Sequence, residues 1–193
     1  EITANWEKSI PEKEWEKATF RFHEQKGKKG TWLPNRKSEW SIKYKYKDLS
    51  FLFRLKLTAF KHTGIFPEQA ENWKFLQDHL ARINGEKKVL NLFAYTGAAS
   101  IIASKAGAKV TNVDSVKQVI NWGKENATLN HVENIRWIQE DARKFVKKAT
   151  RRKELYHGII MDPPAFGYGS KNEKWKLEYD LKYLLEDTVK LLE

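Results

Sequence analysis

The chain contains no cysteine among its 193 residues. Disulfides, cysteine metal sites and thiol nucleophiles are therefore excluded within it, and the absence fits a reducing compartment such as the cytoplasm. The single Met is internal and the first residue is Glu1, so the N-terminus reads as trimmed or processed. No apolar run approaches the roughly 20 residues that cross a bilayer. Glu1 to Ser9 is polar and charged, unlike a signal peptide; neither membrane span nor leader is expected. The five histidines (His23, His62, His79, His131 and His157) are scattered without metal-ligand spacing, so no metal site is expected. Proline is scarce, yet two of the five prolines are adjacent, at Pro163 and Pro164.

What the chain has in excess is positive charge and tryptophan. Its net charge is +11, a bias toward polyanionic partners because phosphate neutralisation releases counterions. Eight residues are Trp, and Trp6, Trp15, Trp32 and Trp40 fall early. Exposed aromatics among cations suit base stacking; buried ones equally hold a small subdomain together. Residues 1–58 carry 14 Lys+Arg against 8 Asp+Glu, and residues 59–193 carry 22 against 17. The charge is denser in the shorter part.

Pattern divides the chain at the same place. Trp40, Ile42, Tyr44 and Tyr46 alternate with polar residues, and so do Phe51, Phe53, Leu55 and Leu57 after Lys47-Asp48, which predicts a hairpin with one apolar face. An isolated hairpin is marginal and must pack on something. From Pro67 strands and helices alternate. A helix from Pro67 to Asn84 is followed by strands at Val89–Phe93, Lys109–Val113, Ile135–Gln139 and Gly158–Met161. Helices are expected at Ala98–Ala106, Ser115–Asn130, Ala142–Arg152 and Trp175–Leu192. Such alternation predicts an α/β fold with a parallel sheet covered on both faces. The expected organisation is a β-rich extension over 1–58 and an α/β domain over 59–193.

In such sheets ligands bind beyond the carboxyl ends of the strands. The first strand runs into Asn91-Leu92-Phe93-Ala94-Tyr95-Thr96-Gly97, whose small residues let a ligand approach the backbone and the free N–H groups of a helix start. Any strand-to-helix turn also needs small residues. The second strand ends at Asp114-Ser115, where a carboxylate can accept from both hydroxyls of a ribose. The third is followed by Asp141-Ala142, where the acid can accept from an adenine amino group. Either acid could instead serve the helix after it as a cap. The fourth ends Met161-Asp162-Pro163-Pro164-Ala165-Phe166. Two prolines fix φ and remove two N–H donors, leaving an acid beside rigid carbonyls with no competing donor. That set suits a substrate amino group whose lone pair attacks an electrophilic methyl, with Phe166 available to stack on a planar base.

These motifs together resemble class I S-adenosylmethionine-dependent methyltransferases. The string from Leu90 to Gly97 resembles one branch, the ribosomal RNA large-subunit methyltransferases and their uncharacterised relatives. The first motif of the fold more often has an acid at Asn91 and glycines at Phe93 and Tyr95. The resemblance implies a Rossmann-like sheet and S-adenosylmethionine as cofactor. It implies cofactor contacts at Asn91, Phe93, Ala94, Tyr95, Thr96, Gly97, Asp114, Ser115, Asp141 and Ala142, and catalysis at Asp162, Pro163, Pro164 and Phe166. Asn126 to Asn130 resembles the helix before the third strand. Lys61 to Gln69 resembles a segment of this branch that closes over the cofactor pocket, which adds Thr63, Phe66 and Gln69. The fold normally has seven strands and four are counted here, so the sheet reads as truncated after its fourth strand and helix. Some relatives methylate carbon 5 of cytosine through a Cys that adds to the ring; this chain holds none.

The resulting expectation is methyl transfer to a base of RNA, most naturally ribosomal RNA, flipped out or single-stranded. Phosphates would be held by the Lys26–Lys37 region or by the seven cations between Arg143 and Lys153, which can equally be a solvated helix face. A methyltransferase acting on protein or a small molecule is the alternative, and a noncatalytic RNA-binding module is another, though it leaves the Asp-Pro-Pro tip unexplained. A nicotinamide dehydrogenase would need a Gly-x-Gly-x-x-Gly turn, and only Gly97 is present.

Overall fold

The computed structural model describes residues 10–24, 30–59, 62–169 and 172–193. In chain order the elements are α1 (Glu12–Trp15), β1 (Arg21–Glu24), β2 (Gly30–Leu33), β3 (Glu39–Tyr46), β4 (Leu49–Lys56) and, after a 3-10 turn at Pro67–Gln69, α2 (Ala70–Arg82). There follow β5 (Lys88–Leu92), α3 (Ala98–Lys105), β6 (Lys109–Asp114), α4 (Lys117–Leu129), β7 (Ile135–Gln139) and α5 (Ala142–Arg151). Last come β8 (Gly158–Met161), β9 (Phe166–Tyr168), β10 (Lys174–Lys176) and α6 (Leu177–Thr188). Two compact units result, one from the residues up to Trp40 with Lys56–Thr63, the other from Ser41–Leu55 with Gly64–Glu193.

In the smaller unit β1 and β2 form an antiparallel ribbon, inside a stretch whose sequence shows no clear period. Phe22 packs edge-on against Trp32 at 5.2 Å. The Trp32 indole N–H donates to the Thr58 carbonyl at 2.8 Å. Trp32 is thus half-buried with its one donor satisfied, and its role here is structural. Of the basic region Lys26–Lys37, residues 26–29 lie outside the described ones.

The larger unit is built on a parallel sheet in the order β7-β6-β5-β8. Alternation along each strand sends side chains to opposite faces. Val89, Val110 and Ile135 enter one core with Ile101, Ile102 and Ala103 of α3. Leu90, Leu92 and Val113 enter a second core with Phe145 and Val146 of α5 and Leu184 of α6. The expected covering of both faces is what forms.

The hairpin β3–β4 belongs to this unit from Ser41 to Leu55, not to the region before residue 58 in which its pattern was grouped. The reason is burial. Phe51 and Phe53 are fully buried in the first core beside Trp73 and Leu80 of α2, and Tyr44 meets Trp73 edge-on at 5.3 Å. The open edge of β4 is held by side chains of α4 rather than by another strand. Asn126 Oδ1 accepts from the Arg54 N–H and Asn130 Oδ1 from the Leu52 N–H, both at 2.9 Å. Asn130 Nδ2 donates to the Leu52 carbonyl at 2.7 Å, and the Trp122 indole donates to the Arg54 carbonyl at 2.8 Å. Positions 122, 126 and 130 recur every four residues and so share one helix face.

One further difference lies after β8. The helix expected from Trp175 begins at Leu177, because Lys174–Lys176 pairs antiparallel with Phe166–Tyr168. No helix of the described residues is long and apolar enough to cross a membrane.

Candidate active site

Sheet register brings the four strand tips into line. Leu92 pairs with Val113 on one side and with Met161 on the other, and Asp114 pairs with Gln139. The residues that follow, Phe93, Glu140-Asp141 and Asp162, therefore gather with Asp114 at the carboxyl end.

The turn after β5 is strained. Phe93 and Tyr95 have φ of +54° and +50°, in the left-handed region that costs a residue with a Cβ roughly 1–3 kcal/mol. Packing holds them there. The Phe93 ring lies 4.9 Å from Trp175, and the Tyr95 ring lies 5.3 Å from Phe66. The Ala94 N–H donates to the Val113 carbonyl at 3.1 Å. Thr96 is buried and its hydroxyl donates to the Gly64 carbonyl at 2.6 Å. Gly64, at φ +109°, approaches Trp122 so closely that a Cβ would stand 2.1 Å from its ring. Gly97 precedes α3 at φ +76°. Burial pushes the Tyr95 phenol up to about 12, so it stays a neutral donor.

Asn91 points into the sheet face rather than toward the turn. Its Nδ2 donates to Ser100 Oγ at 2.9 Å, and that hydroxyl donates to Asn112 Oδ1 at 2.7 Å. The amide pair bridges β5, β6 and α3 in a position where an acid would be a buried charge.

Asp114 Oδ2 accepts from the Tyr95 N–H and Oδ1 from the Val116 N–H, both at 2.9 Å. The Ser115 N–H also bonds the carboxylate, which leaves part of its acceptor capacity for a ligand. Burial raises its pKa above the ordinary carboxylate value, while these backbone N–H groups oppose the shift. Asp141 both caps and faces the site. Its Oδ1 accepts from the Lys144 N–H at 3.1 Å at the start of α5, and Arg143 Nε stands 3.6 Å away.

Asp162 is exposed, and its Oδ2 accepts from Gln69 Nε2 at 2.9 Å. Asn72 Nδ2 in turn donates to Gln69 Oε1 at 2.7 Å. The carbonyls of Asp162 and Pro163 accept nothing from the described residues. The Pro164 carbonyl is taken by the Trp175 indole N–H at 2.6 Å.

Two cavities flank Phe93. A larger one of about 500 Å³ is bordered by Phe66, Gln69, Asn91, Ala94, Tyr95, Thr96 and Asp162 with apolar residues of α2 and β8. A smaller one is bordered by Asp114, Ser115, Asp141, Ala142, Pro164 and Trp175. Most of the residues singled out in the sequence thus meet around these two spaces. Thr63 falls instead in the smaller unit, where its carbonyl accepts from the Lys56 N–H at 3.0 Å. Phe166 is 47 % exposed and, like Pro163, borders neither cavity.

The sequence reading missed Trp175. It packs on Phe93, fixes the Pro164 carbonyl and lies 5.8 Å under the Arg143 guanidinium. The available signal was the alternation Lys174-Trp175-Lys176 facing Phe166-Gly167-Tyr168.

The whole of this geometry falls within the match to a family model. The model describes S-adenosylmethionine-dependent methyltransferases and matches residues 23–192. The chain belongs to that family. It is 38 % identical over 144 residues to the ribosomal RNA large subunit methyltransferase K/L of Shewanella frigidimarina, covering 72 % of this chain and 19 % of the relative. The chain therefore spans about a fifth of the length of that relative. The crystal structure of a SAM-dependent methyltransferase from Agrobacterium tumefaciens superposes with a TM-score of 0.87 at 38 % identity, over 97 % of this chain and 60 % of the other. The crystal structure of SMU.776 complexed with SAH superposes with a TM-score of 0.65 at 27 % identity, over 79 % of this chain and 39 % of that one.

Proposed function

We propose that the protein transfers a methyl group from S-adenosylmethionine to a base of RNA, with ribosomal RNA as the substrate class and the cytoplasm as the place of action. The observation that carries the reading is the Asp162-Pro163-Pro164 tip, braced by Gln69 at the mouth of one cavity and by Trp175 beside the other.

The donor set fits the cofactor. Asp114 keeps acceptor capacity beside the backbone N–H groups that bond it, which suits a ribose hydroxyl. Asp141 keeps acceptor capacity beside Ala142 for an adenine amino group, and Phe93, Pro164 and Trp175 offer flat apolar walls. Ser115 sits beside the ribose acid, and the Ala94–Gly97 turn lies next to the space where the remainder of the molecule would extend. When bound, S-adenosylmethionine supplies a methyl group on a sulfonium, an electrophile that needs no metal.

The chain's own residues then act by positioning. The free oxygen of Asp162 and the Pro163 carbonyl accept the two hydrogens of an exocyclic amine, which aims its lone pair at the methyl group. Proline rigidity keeps both acceptors in place, and Phe166, exposed four residues beyond Asp162, is available to stack on the base. Support for RNA comes from the large-subunit ribosomal RNA methyltransferase named among the relatives, together with the net charge of +11.

The test is incorporation of labelled methyl from S-adenosylmethionine into protein-free ribosomal RNA and, in a parallel reaction, into ribosomal protein. Wild-type incorporation that is lost in Asp162→Ala, while the cofactor still raises the melting temperature of that variant, supports the reading. Incorporation into ribosomal protein but not into RNA overturns it in favour of a protein methyltransferase.

A further inference from the structure

The β9–β10 ribbon has two unlike faces. Antiparallel partners project to the same side, and the register pairs Phe166 with Lys176, Gly167 with Trp175 and Tyr168 with Lys174. Trp175 is buried. Phe166 and Tyr168, on the other face, are 47 % and 54 % exposed, and Lys174 and Lys176 are exposed beside them. The two aromatic rings meet edge-on at 5.1 Å. The row continues onto α6, where Lys176 Nζ stands 5.5 Å over the ring of Tyr179. Tyr179 and, one turn on, Tyr183 are both about two-thirds exposed.

Among the described residues no acid pairs with Lys174 or Lys176 through its side chain. Asp180 is occupied by Arg143 and by the Lys176 backbone N–H. Glu173 pairs with Lys144. Glu178, the next carboxylate along the chain, makes no ion pair with either lysine among the described residues. By contrast, four of the seven cations between Arg143 and Lys153 are paired with acids: Arg143, Lys144, Lys148 and Arg152. Lys147, Arg151 and Lys153 stay unpaired too among the described residues, but only on the ribbon are the unpaired lysines, Lys174 and Lys176, set between the exposed rings of Phe166, Tyr168 and Tyr179. Aromatic faces stack on bases without regard to sequence, and lysines between them meet phosphates.

We infer that the outer face of β9–β10, continued by Tyr179, is the docking surface for the single-stranded RNA that flanks the target base. The surface begins at Phe166, four residues after Asp162, so a strand lying along it delivers the adjoining nucleotide to the Asp-Pro-Pro tip. Tyr168 stacks on a flanking base, and Lys174 and Lys176 hold two phosphates. The inference rests on the RNA reading above.

The test is fluorescence anisotropy of labelled oligoadenylate against the protein over a range of salt, with polyglutamate as competitor. A phosphate contact contributes about 0.7 to the slope of log affinity against log salt on single strands. The Lys174→Ala/Lys176→Ala double variant should therefore lose about 1.4 from the slope, while its thermal shift with S-adenosylmethionine stays as in wild type. Tyr168→Ala should bind roughly 5- to 100-fold more weakly, by the stacking of one base, and Tyr168→Phe should restore binding. Wild-type slope in the double variant, or wild-type affinity in Tyr168→Ala, overturns the surface. So does polyglutamate displacing RNA as readily as more RNA does, which would point to an acidic protein partner. Wild-type protein that neither binds oligoadenylate nor methylates ribosomal RNA sinks the RNA reading and this surface together. Methylation of ribosomal RNA at unchanged kcat/KM in these variants sinks the surface alone.

Discussion

Gln69 and Asp162 are 93 residues apart and joined by a 2.9 Å hydrogen bond from Nε2 to Oδ2. The bond ties the segment before α2 to the tip after β8 and takes one carboxylate oxygen out of rotation. A hydrogen bond to a charged group is worth about 1.5 kcal/mol at the low end, and the low end applies because Asp162 is exposed and Gln69 only half-buried. Gln69→Ala should therefore slow methyl transfer about tenfold in single-turnover measurements. Gln69→Glu should do worse, since it sets a second carboxylate against Asp162. Unchanged rates in both variants would remove Gln69 from the positioning of the tip.

The Asn126–Asn130 pair carries the next prediction. Both side chains are buried, and between them they satisfy two N–H groups and one carbonyl of β4. Asn126→Leu leaves the part-buried Arg54 N–H without its partner, a loss of about 1 kcal/mol. Denaturant unfolding should show that loss, and hydrogen exchange at the Arg54 and Leu52 amides should speed up in Asn126→Leu and Asn130→Leu respectively. Unaltered exchange would mean that β4 is held by its core face alone.

Trp175 should matter twice. Trp175→Phe keeps an aromatic ring beside Phe93 but removes the donor to the Pro164 carbonyl, for a loss of about 1 kcal/mol. Trp175→Ala also empties buried volume in the second core, at about 3–5 kcal/mol. Equilibrium unfolding separates the two. Methyl transfer by Trp175→Phe should fall with little change in stability, because the freed carbonyl loosens the tip. A drop in rate that merely tracks stability across both variants would assign Trp175 to packing only.

How much of this was readable beforehand differs by element. The β-α alternation and all four sheet strands follow from period and punctuation, and the strand tips then place Asp114, Asp141 and Asp162 at one end without any contact being known. Asp141 illustrates the limit: the sequence offers cap or ligand as alternatives, and the side chain does cap, through the Lys144 N–H, while still facing the cavity. Phe93 and Tyr95 stand where glycine is usual, and only the backbone reveals that both adopt a glycine-like φ, held by ring contacts from distant residues. The ribbon β1–β2 was illegible because strands of four residues carry too short a period to register, and the three-residue alternation of β9–β10 was present but too brief to stand out. The attachment of the β3–β4 hairpin to α4 was equally hidden, since it depends on asparagine amides meeting a strand edge 72 and 78 residues away in sequence.

Asp114 gives a prediction in pH. Burial raises its pKa above the ordinary 3.8, so the folded chain holds that proton more tightly than the unfolded chain does. The associated stability is fully present below the ordinary value and is lost as pH rises through the raised one. A ribose hydroxyl donates only to the acceptor lobes of the carboxylate and so favours its ionised form. S-adenosylmethionine should accordingly bind less well as the pH falls through the raised pKa, above the range in which an ordinary Asp titrates. At neutral pH and about 100 times its dissociation constant, the cofactor should add roughly 2.7 kcal/mol to the folded state. Asp114→Ala should lose that shift, and Asp114→Asn, which cannot ionise, should bind more weakly at neutral pH with an affinity that no longer varies across the window in which the buried carboxylate protonates. Melting curves with and without the cofactor across that window read both effects. A pH-dependence that persists in Asp114→Asn would assign the titrating group elsewhere and separate Asp114 from the ribose.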